Sequence, residues 1–206
     1  DDRTGRSVSI AMGTFDLKLV TAQGIGSRGF TSKLPARYAA MVRGDFSWLA
    51  EEVLRQRRAW FGNAMTYVMD CASGLSPERA ERVRQEMAES LLGDLVDFPF
   101  PDICTAWGVT DLGPDFRAPV HADVPALFIS GTLDGRTPAS NAEEVGAGFP
   151  HSRHLIVEGA SHATSELATA PGVQEAMVAF LAGHPVTIAH TMIPFAFAPL
   201  DNTVVA

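Results

Sequence analysis

Two short apolar runs, each followed by a polar loop and then a helical pattern, constrain the fold of this chain more than any other feature. Residues 126–129 read ALFI between Pro125 and Gly131, and residues 154–157 read HLIV. Continuous apolar runs bounded by turn residues are typical of strands buried on both faces of a parallel sheet. The order strand, loop, helix, strand, loop, helix is that of two consecutive α/β units. The sequence therefore predicts an α/β fold with a parallel sheet.

Two local sequence signals predict where the helices of these α/β units begin. Ser140 and Glu143 fit a capping box, and Pro171 opens a last helix. The inner face of that last helix is predicted to carry Val173, Met177, Phe180 and Leu181. Two parallel strands with their helices do not make a stable sheet, because edges and apolar faces would stay uncovered. The remaining strands are therefore expected to come from a polypeptide outside these 206 residues.

Between about residues 35 and 110 the pattern is helical instead, and the clearest helix follows Ser76. Ser76 is a good N-cap, Pro77 stands at the first helical position, and Glu78 favours the positive end of the helix. An apolar stripe typical of core packing follows at Ala80, Val83, Met87 and Leu91. The sequence thus predicts a mainly helical region over 1–115 and an α/β region over 116–206.

Composition excludes several classes of partner. The formal net charge is −8, the acidic residues are scattered, and the basic runs are short. Nucleic acid and anionic membranes need a concentrated positive face, so neither is expected as a partner. No apolar run approaches the roughly 18 residues that span a bilayer. The start at Asp1 lacks the features of a signal peptide, which leaves a cytoplasmic protein or an N-terminus made by removal of a segment.

The chain has two cysteines, Cys71 and Cys104. A pair this far apart is too sparse for a zinc site and lacks the spacing of a redox motif. From the residues alone, two buried free thiols and a single disulfide remain equally open.

Asp134 and His162 are the residues that carry chemistry, because each follows one of the two predicted strands. Functional groups of parallel α/β sheets collect at the carboxyl ends of strands, and loops after adjacent strands lie side by side. A carboxylate beside an imidazole fixes its tautomer and stabilises the imidazolium. Taken singly, Asp134 is a turn-former before Gly135 and His162 a loop histidine. Together, at the ends of two strands, they indicate an acid–base pair.

The segments around these residues resemble the α/β-hydrolase superfamily, in the branch of proline iminopeptidases and secreted tripeptidyl-aminopeptidase-like enzymes. The resemblance is carried by VPALFISGTLDGRTP at residues 124–138 and GASH at 159–162. Shorter likenesses are DCA at 70–72, CTAW at 104–107, LP at 34–35 and RGD at 43–45. The resemblance implies a Ser-Asp-His triad in which Asp134 orients the imidazole and His162 is the general base and acid.

The family's nucleophile motif, Gly-x-Ser-x-Gly, is absent from the chain. Residues 26–29, GSRG, have the wrong spacing and no buried strand before them, so they are rejected. Family architecture places the serine and most of the sheet before a helical cap. The resemblance therefore implies that this chain holds the cap and the C-terminal part of the catalytic core. The N-terminal half, with the serine, is expected as a missing part or a companion chain.

The resemblance also implies a Cys71–Cys104 disulfide, and with it a secreted or periplasmic location. It implies peptide substrates with a free N-terminus, whose amine a cap carboxylate such as Asp70, Glu51 or Glu52 would hold. No metal or organic cofactor is implied. An esterase acting on small acyl esters is the alternative within the family. A non-catalytic, hydrolase-like binding protein is the alternative from another class.

Overall fold

In the computed structural model, which describes residues 3–59 and 64–200, the chain forms two compact units. The first comprises the described residues of Asp1–Gln23 and Gly44–Ala118, and the second those of Gly24–Arg43 and Pro119–Ala206. The chain passes between the two units at residues 23–24, 43–44 and 118–119. The functional division at residue 115 stays a prediction. The structure adds that the short segment 24–43 groups with the α/β elements.

The first unit is helical. Its helices are α1 (Thr14–Gly24), α4 (Ser47–Ala59), α5 (Ala64–Ser73), α6 (Pro77–Glu89) and α7 (Asp102–Trp107), with a 3-10 turn over Gly93–Val96. Its buried apolar side chains are Leu19, Val20, Leu49, Val53, Cys71 and Leu95. Ser76 caps α6 as expected, since its hydroxyl accepts a hydrogen bond from the Arg79 N–H. The prediction that the apolar stripe of α6 is buried in a core is wrong, because α6 has no fully buried residue and Leu91, just after it, is 90% exposed.

Cys71 and Cys104 are joined by a disulfide, which is the pairing that the resemblance implied. The bond ties α5 to α7 within the first unit. The alternative of two free thiols is therefore wrong.

The second unit holds the sheet. Its strands are β1 (Ala126–Gly131), β2 (Ser152–Glu158) and β3 (His190–Met192), and its helices are α2 (Arg28–Thr31), α3 (Leu34–Val42), α8 (Ala139–Gly146), α9 (Thr164–Thr169) and α10 (Val173–Leu181). The strand order is β1-β2-β3 and both pairings are parallel. The predicted α/β class and the parallel pairing of the first two strands are confirmed. The sequence did not indicate β3.

The core of the second unit lies against β2. Leu155 and Val157 of this strand are fully buried, and Ala160, Ala170, Val173 and Ala176 complete the cluster. In β1, by contrast, four of the six residues are only half-buried, although burial on both faces was expected. The reason is that β1 pairs only with β2 among the described residues, so one side of it is an edge.

Two expectations about the helices of this unit are wrong. The capping box at Ser140 does not form, because α8 begins at Ala139 after Pro138 and has no side-chain cap. In α10 Val173 is buried as expected, but Leu181 is 80% exposed and Met177 is exposed too. The buried face of α10 consists of Val173 and Ala176, one turn apart.

Backbone hydrogen bonds explain why the segment 24–43 belongs to this unit. Gly26 O accepts from the His162 N–H at 3.0 Å, and Ser32 O accepts from the Ala198 N–H at 2.8 Å.

In the part of the chain that the structure describes, no helix has the length and apolar content that a membrane crossing requires.

Candidate active site

Two loops meet at the carboxyl ends of β1 and β2. Residues 126–131 of β1 pair in register with residues 152–157 of β2, so the two strands end side by side. Leu133 N–H donates to Ala160 O at 2.9 Å, which ties the loops together. Gly131 permits this approach, since a Cβ there would lie 2.4 Å from Ala160 O. The loop after β1 carries Asp134, and the loop after β2 carries His162.

The Asp134 carboxylate is surrounded by donors from its own loop. Its Oδ1 accepts from the N–H groups of Arg136 and Thr137, both at 2.9 Å, and its Oδ2 accepts from the Thr137 hydroxyl at 2.7 Å. The side chain is only 6% exposed. These bonds fix the carboxylate in one orientation before any contact with the imidazole is counted.

His162 completes the pair. Its Nδ1 lies 3.0 Å from Asp134 Oδ2 and 3.2 Å from the Thr137 hydroxyl. An ionised carboxylate only accepts hydrogen bonds, so Nδ1 carries the proton and Nε2 is left with a lone pair. Nε2 has no hydrogen-bond partner among the described residues, and the side chain is 45% exposed. The imidazole is therefore oriented on one side and open on the side that can accept a proton.

The electrostatics favour an ionised acid. Burial is the largest influence on Asp134 and raises its pKa, but the hydrogen bonds from Thr137, His162 and Arg136 together outweigh it. The pKa of Asp134 therefore lies below its ordinary value of 3.8. At neutral pH the carboxylate is charged and can stabilise a positive charge on His162.

A second carboxylate stabilises the loop that carries His162 through hydrogen bonds. Oε2 of Glu166, on α9, accepts from both the N–H and the hydroxyl of Ser161, at 2.9 and 2.8 Å. Ser161 is fully buried and directly precedes His162. Neither Thr137 nor Glu166 was singled out from the sequence. A partial signal existed for the turn itself, because an aspartate side chain commonly bonds to backbone groups that follow it in a turn.

A small cavity of about 340 Å³ lies beside the pair, within the second unit. Asp134 and His162 form part of its wall, and the remaining lining includes Ser130, Asn141, Thr164 and Leu167. The cavity offers space for a reacting group next to the His162 side chain.

The three carboxylates considered for a substrate amine differ in their surroundings. Glu52 is paired with Arg55, whose Nε lies 2.8 Å from its carboxylate. Glu51 is exposed on α4. Asp70 lines a cleft that is formed within the first unit.

Comparison with known proteins gives one match. Residues 99–186 match the family model described as TAP-like protein, and this segment includes Cys104, Asp134 and His162. No significant match was found among curated proteins or among solved structures. The mixed α/β fold with its short parallel sheet is consistent with part of an α/β-hydrolase fold. Over the segment 99–186, which is less than half of the chain, the sequence resembles the TAP-like branch of the α/β-hydrolase superfamily.

Proposed function

We propose that the chain supplies the acid and base of a serine hydrolase, with Asp134 as the orienting acid and His162 as the general base. The observation that carries the proposal is the 3.0 Å contact from His162 Nδ1 to Asp134 Oδ2, with Nε2 left open. His162 would take the proton of a serine hydroxyl and later give it to the leaving group. Asp134 would stabilise the imidazolium in between.

The nucleophile of this reaction is a serine outside these 206 residues, in a Gly-x-Ser-x-Gly motif on an N-terminal part or a companion chain. Backbone amides of that polypeptide would hold the oxyanion. In this arrangement residues 1–115 form the helical cap region, and residues 116–206 the C-terminal part of the catalytic core. The absence of the motif from the sequence and the half-buried edge strand β1 both support this proposal.

Material purified from the native source tests the proposal directly. A fluorophosphonate probe should label a serine in a polypeptide that carries or accompanies this sequence, and intact mass without reduction should identify it. A single 22 kDa species that neither labels nor has a labelled companion would contradict the proposal. That outcome would support the non-catalytic, hydrolase-like binding protein instead.

Substitution of the base in the labelled hydrolase is the second test. His162→Ala should lower kcat by about 10³-fold or more while the fold is kept, because no other group would take the serine proton. His184→Ala is the matched control, since His184 is exposed on the surface. Turnover close to wild type in His162→Ala would show that another residue is the base.

Peptides with a free N-terminus are the proposed substrates, and small acyl esters are the alternative. Amino-acid anilides and short acyl esters, assayed side by side, separate the two. Anilide hydrolysis near background together with rapid ester hydrolysis would favour the esterase. The disulfide supports a secreted or periplasmic location, since such bonds persist in oxidising compartments.

A further inference from the structure

A turn at residues 24–27, within the second unit, lies against both loops of the candidate active site. The turn is closed by the Ser27 N–H, which donates to Gly24 O at 3.1 Å. Gly26 is its third residue and has a φ of +94°, in the left-handed region. Type II turns need glycine at this position, because a side chain there is strained. Gly26 is also buried, so the turn is packed against its surroundings.

The turn holds the backbone of the proposed base. Gly26 O accepts from the His162 N–H at 3.0 Å. The preceding N–H, that of Ser161, donates to Glu166 Oε2 at 2.9 Å. Two consecutive N–H groups of this loop are therefore fixed by acceptors on two different segments of the chain. Because the His162 side chain is 45% exposed, its placement depends on its backbone more than on packing around the ring.

The same turn packs against the loop of the acid. Gly135 directly follows Asp134, and a β-carbon on Gly135 would lie 2.0 Å from Cγ2 of Ile25. The Ile25 methyl group therefore fills the space that a side chain at position 135 would need. A β-carbon on Gly26 would lie 3.0 Å from Cγ of Arg136. The turn thus contacts the loop of the acid as well as the loop of the base.

The residues that follow the turn are anchored to the segment 194–198. The Arg28 guanidinium donates to Pro194 O and lies over the Phe195 ring, 6.0 Å from its centroid. Ser32 O accepts from the Ala198 N–H at 2.8 Å. These contacts fix the turn in place, so it can act as a support for the two loops.

An acid–base pair depends on accurate placement, since a displacement of about 1 Å costs about 10²-fold in rate. Asp134 and His162 come from different loops, so their 3.0 Å contact requires that the loops keep their relative position. We propose that the turn at residues 24–27 positions this pair. Its Gly26 carbonyl fixes the backbone of His162, and its Ile25 side chain fixes the loop of the acid. In assigning this placement to catalysis the inference rests on the proposed function, but the placement itself requires no serine.

Substitution of Ile25 tests the packing contact. Ile25→Ala removes Cγ2, whereas Ile25→Val keeps both γ-carbons and loses only the δ-methyl group. Proton NMR of the full chain at pH 7, with its disulfide intact, follows the His162 Nδ1–H proton. A hydrogen bond to a carboxylate moves this signal to low field and protects the proton from exchange with water. We expect the signal in wild type and in Ile25→Val, and its loss in Ile25→Ala.

The titration of Asp134 gives a second measurement on the same variants. Burial raises the pKa of the Asp134 carboxyl, and its hydrogen bonds, including the one from His162, lower it. Loss of the bond from His162 in Ile25→Ala should therefore raise this pKa above the wild-type value. Carbon NMR of the carboxyl group measures it, and Ile25→Val should titrate as wild type does.

Substitution of Gly26 tests the hydrogen bond to the base. In Gly26→Ala the β-carbon is strained at a φ of +94° and meets Arg136, so the carbonyl has to turn away from the His162 N–H. We expect loss of the same Nδ1–H signal. Gly29→Ala is the matched control, since Gly29 lies on α2 with open space around its β-carbon. This control should keep the signal.

A core variant separates positioning from stability. Val173→Ala shortens a fully buried side chain of α10, outside the turn and both loops. It should lower the stability of the fold and keep the Nδ1–H signal. If Ile25→Ala keeps the signal, the turn only stabilises the fold and the proposal is overturned, whether or not Gly26→Ala folds. Loss of the signal in Val173→Ala, or its absence from wild type, would overturn the proposal as well.

The outcomes for this turn and for the proposed hydrolase are separable. In the labelled hydrolase, Ile25→Ala should lower kcat by about 10- to 100-fold with KM unchanged, and Ile25→Val should turn over as wild type does. Normal kcat in Ile25→Ala would remove the role of the turn and leave the hydrolase standing. Loss of the Nδ1–H signal in this variant, with no labelled serine in native material, would do the reverse.

Discussion

At the scale of single residues, Asp134 shows why two interpretations of one aspartate can both hold. Its position before Gly135 is typical of a turn, and its position after a strand is typical of a functional acid. A carboxylate has about four lone-pair positions, so it can serve both roles. Oδ1 accepts the turn N–H groups, while Oδ2 accepts from Thr137 and His162. The turn thereby orients the acid for the imidazole.

The lowered pKa of Asp134 predicts how stability depends on pH. Because the folded-state pKa lies below the ordinary value of 3.8, the ionised carboxylate stabilises the fold above that value. This contribution is lost as the pH falls through the folded-state pKa. Asp134→Asn should lower the free energy of unfolding by about 1–3 kcal/mol at pH 7, and the difference from wild type should shrink below pH 3.8. Urea unfolding at a series of pH values measures it.

Asp115→Asn is the control for that series, since Asp115 is exposed. Its difference from wild type should stay small at every pH. If the difference for Asp134→Asn does not change with pH, the carboxylate does not titrate as proposed here.

Thr137 is predicted to act as a positioning residue in the proposed hydrolase. Thr137→Val keeps the shape of the side chain but removes the hydroxyl that lies 2.7 Å from Asp134 Oδ2. The acid then loses one of its anchors, and small misplacements of catalytic groups cost up to about 10²-fold in rate. We expect kcat to fall by about 10- to 100-fold with KM unchanged, measured on the labelled hydrolase.

Thr110→Val, at an exposed position, is the matched control and should leave both constants unchanged. A rise in KM with kcat intact would place Thr137 in substrate binding rather than in orientation of the pair.

The residues that could be predicted from sequence are those fixed by local patterns. Asp134 and His162 follow apolar runs that are typical of strands. Their proximity at the carboxyl ends of the two strands could therefore be inferred from the sequence. Glu166 could not be predicted, because its bonds to Ser161 depend on how α9 folds back after the loop. No periodicity in the sequence encodes that contact.

At the scale of elements, sequence patterns predicted an element correctly where its hydrogen-bond partner lies nearby in the sequence. The Ser76 side chain caps α6 by accepting a hydrogen bond from the Arg79 N–H, three residues later. The start of this helix was predicted correctly. The strand β3 was missed, because its three residues form a strand only by pairing with β2. The exposed residues of α10, Met177 and Leu181, were misassigned because this helix is apolar on more than one face.

The disulfide between α5 and α7 should contribute much of the stability of the first unit. It closes a loop of 33 residues, and loop-closure entropy for that length gives about 3–4 kcal/mol. The double variant Cys71→Ser, Cys104→Ser should therefore have a free energy of unfolding lower by about 3–4 kcal/mol, and it should unfold at a lower denaturant concentration. Guanidinium unfolding followed by tryptophan fluorescence measures the change.

Wild-type protein treated with a phosphine reductant is the control for the serine substitutions themselves. It should unfold as the double variant does. Unfolding of the double variant at the wild-type midpoint would show that helix packing alone holds the first unit together.

At the scale of the whole molecule, the proposal of a companion polypeptide depends on the three-stranded sheet. A sheet this small, with an apolar strand at its edge, exposes backbone donors and acceptors along that edge. β1 is the apolar strand in this position, and most of its residues are half-buried in the described chain. That further strands come from elsewhere stays a prediction, made from the strand pattern alone.

Hydrogen exchange can test whether β1 is the edge at which the proposed companion joins. In a parallel sheet each inner strand is hydrogen-bonded on both sides, so a strand added beside β1 would engage its outward N–H groups. Peptides that cover Ala126–Gly131 should exchange more slowly in the native complex than in the isolated chain. Peptides from α6, whose hydrogen bonds are internal to the helix, should exchange equally in both. Equal exchange of the β1 peptides in a complex that carries the labelled serine would mean that the companion joins at another surface, and the sheet argument would then lose its support.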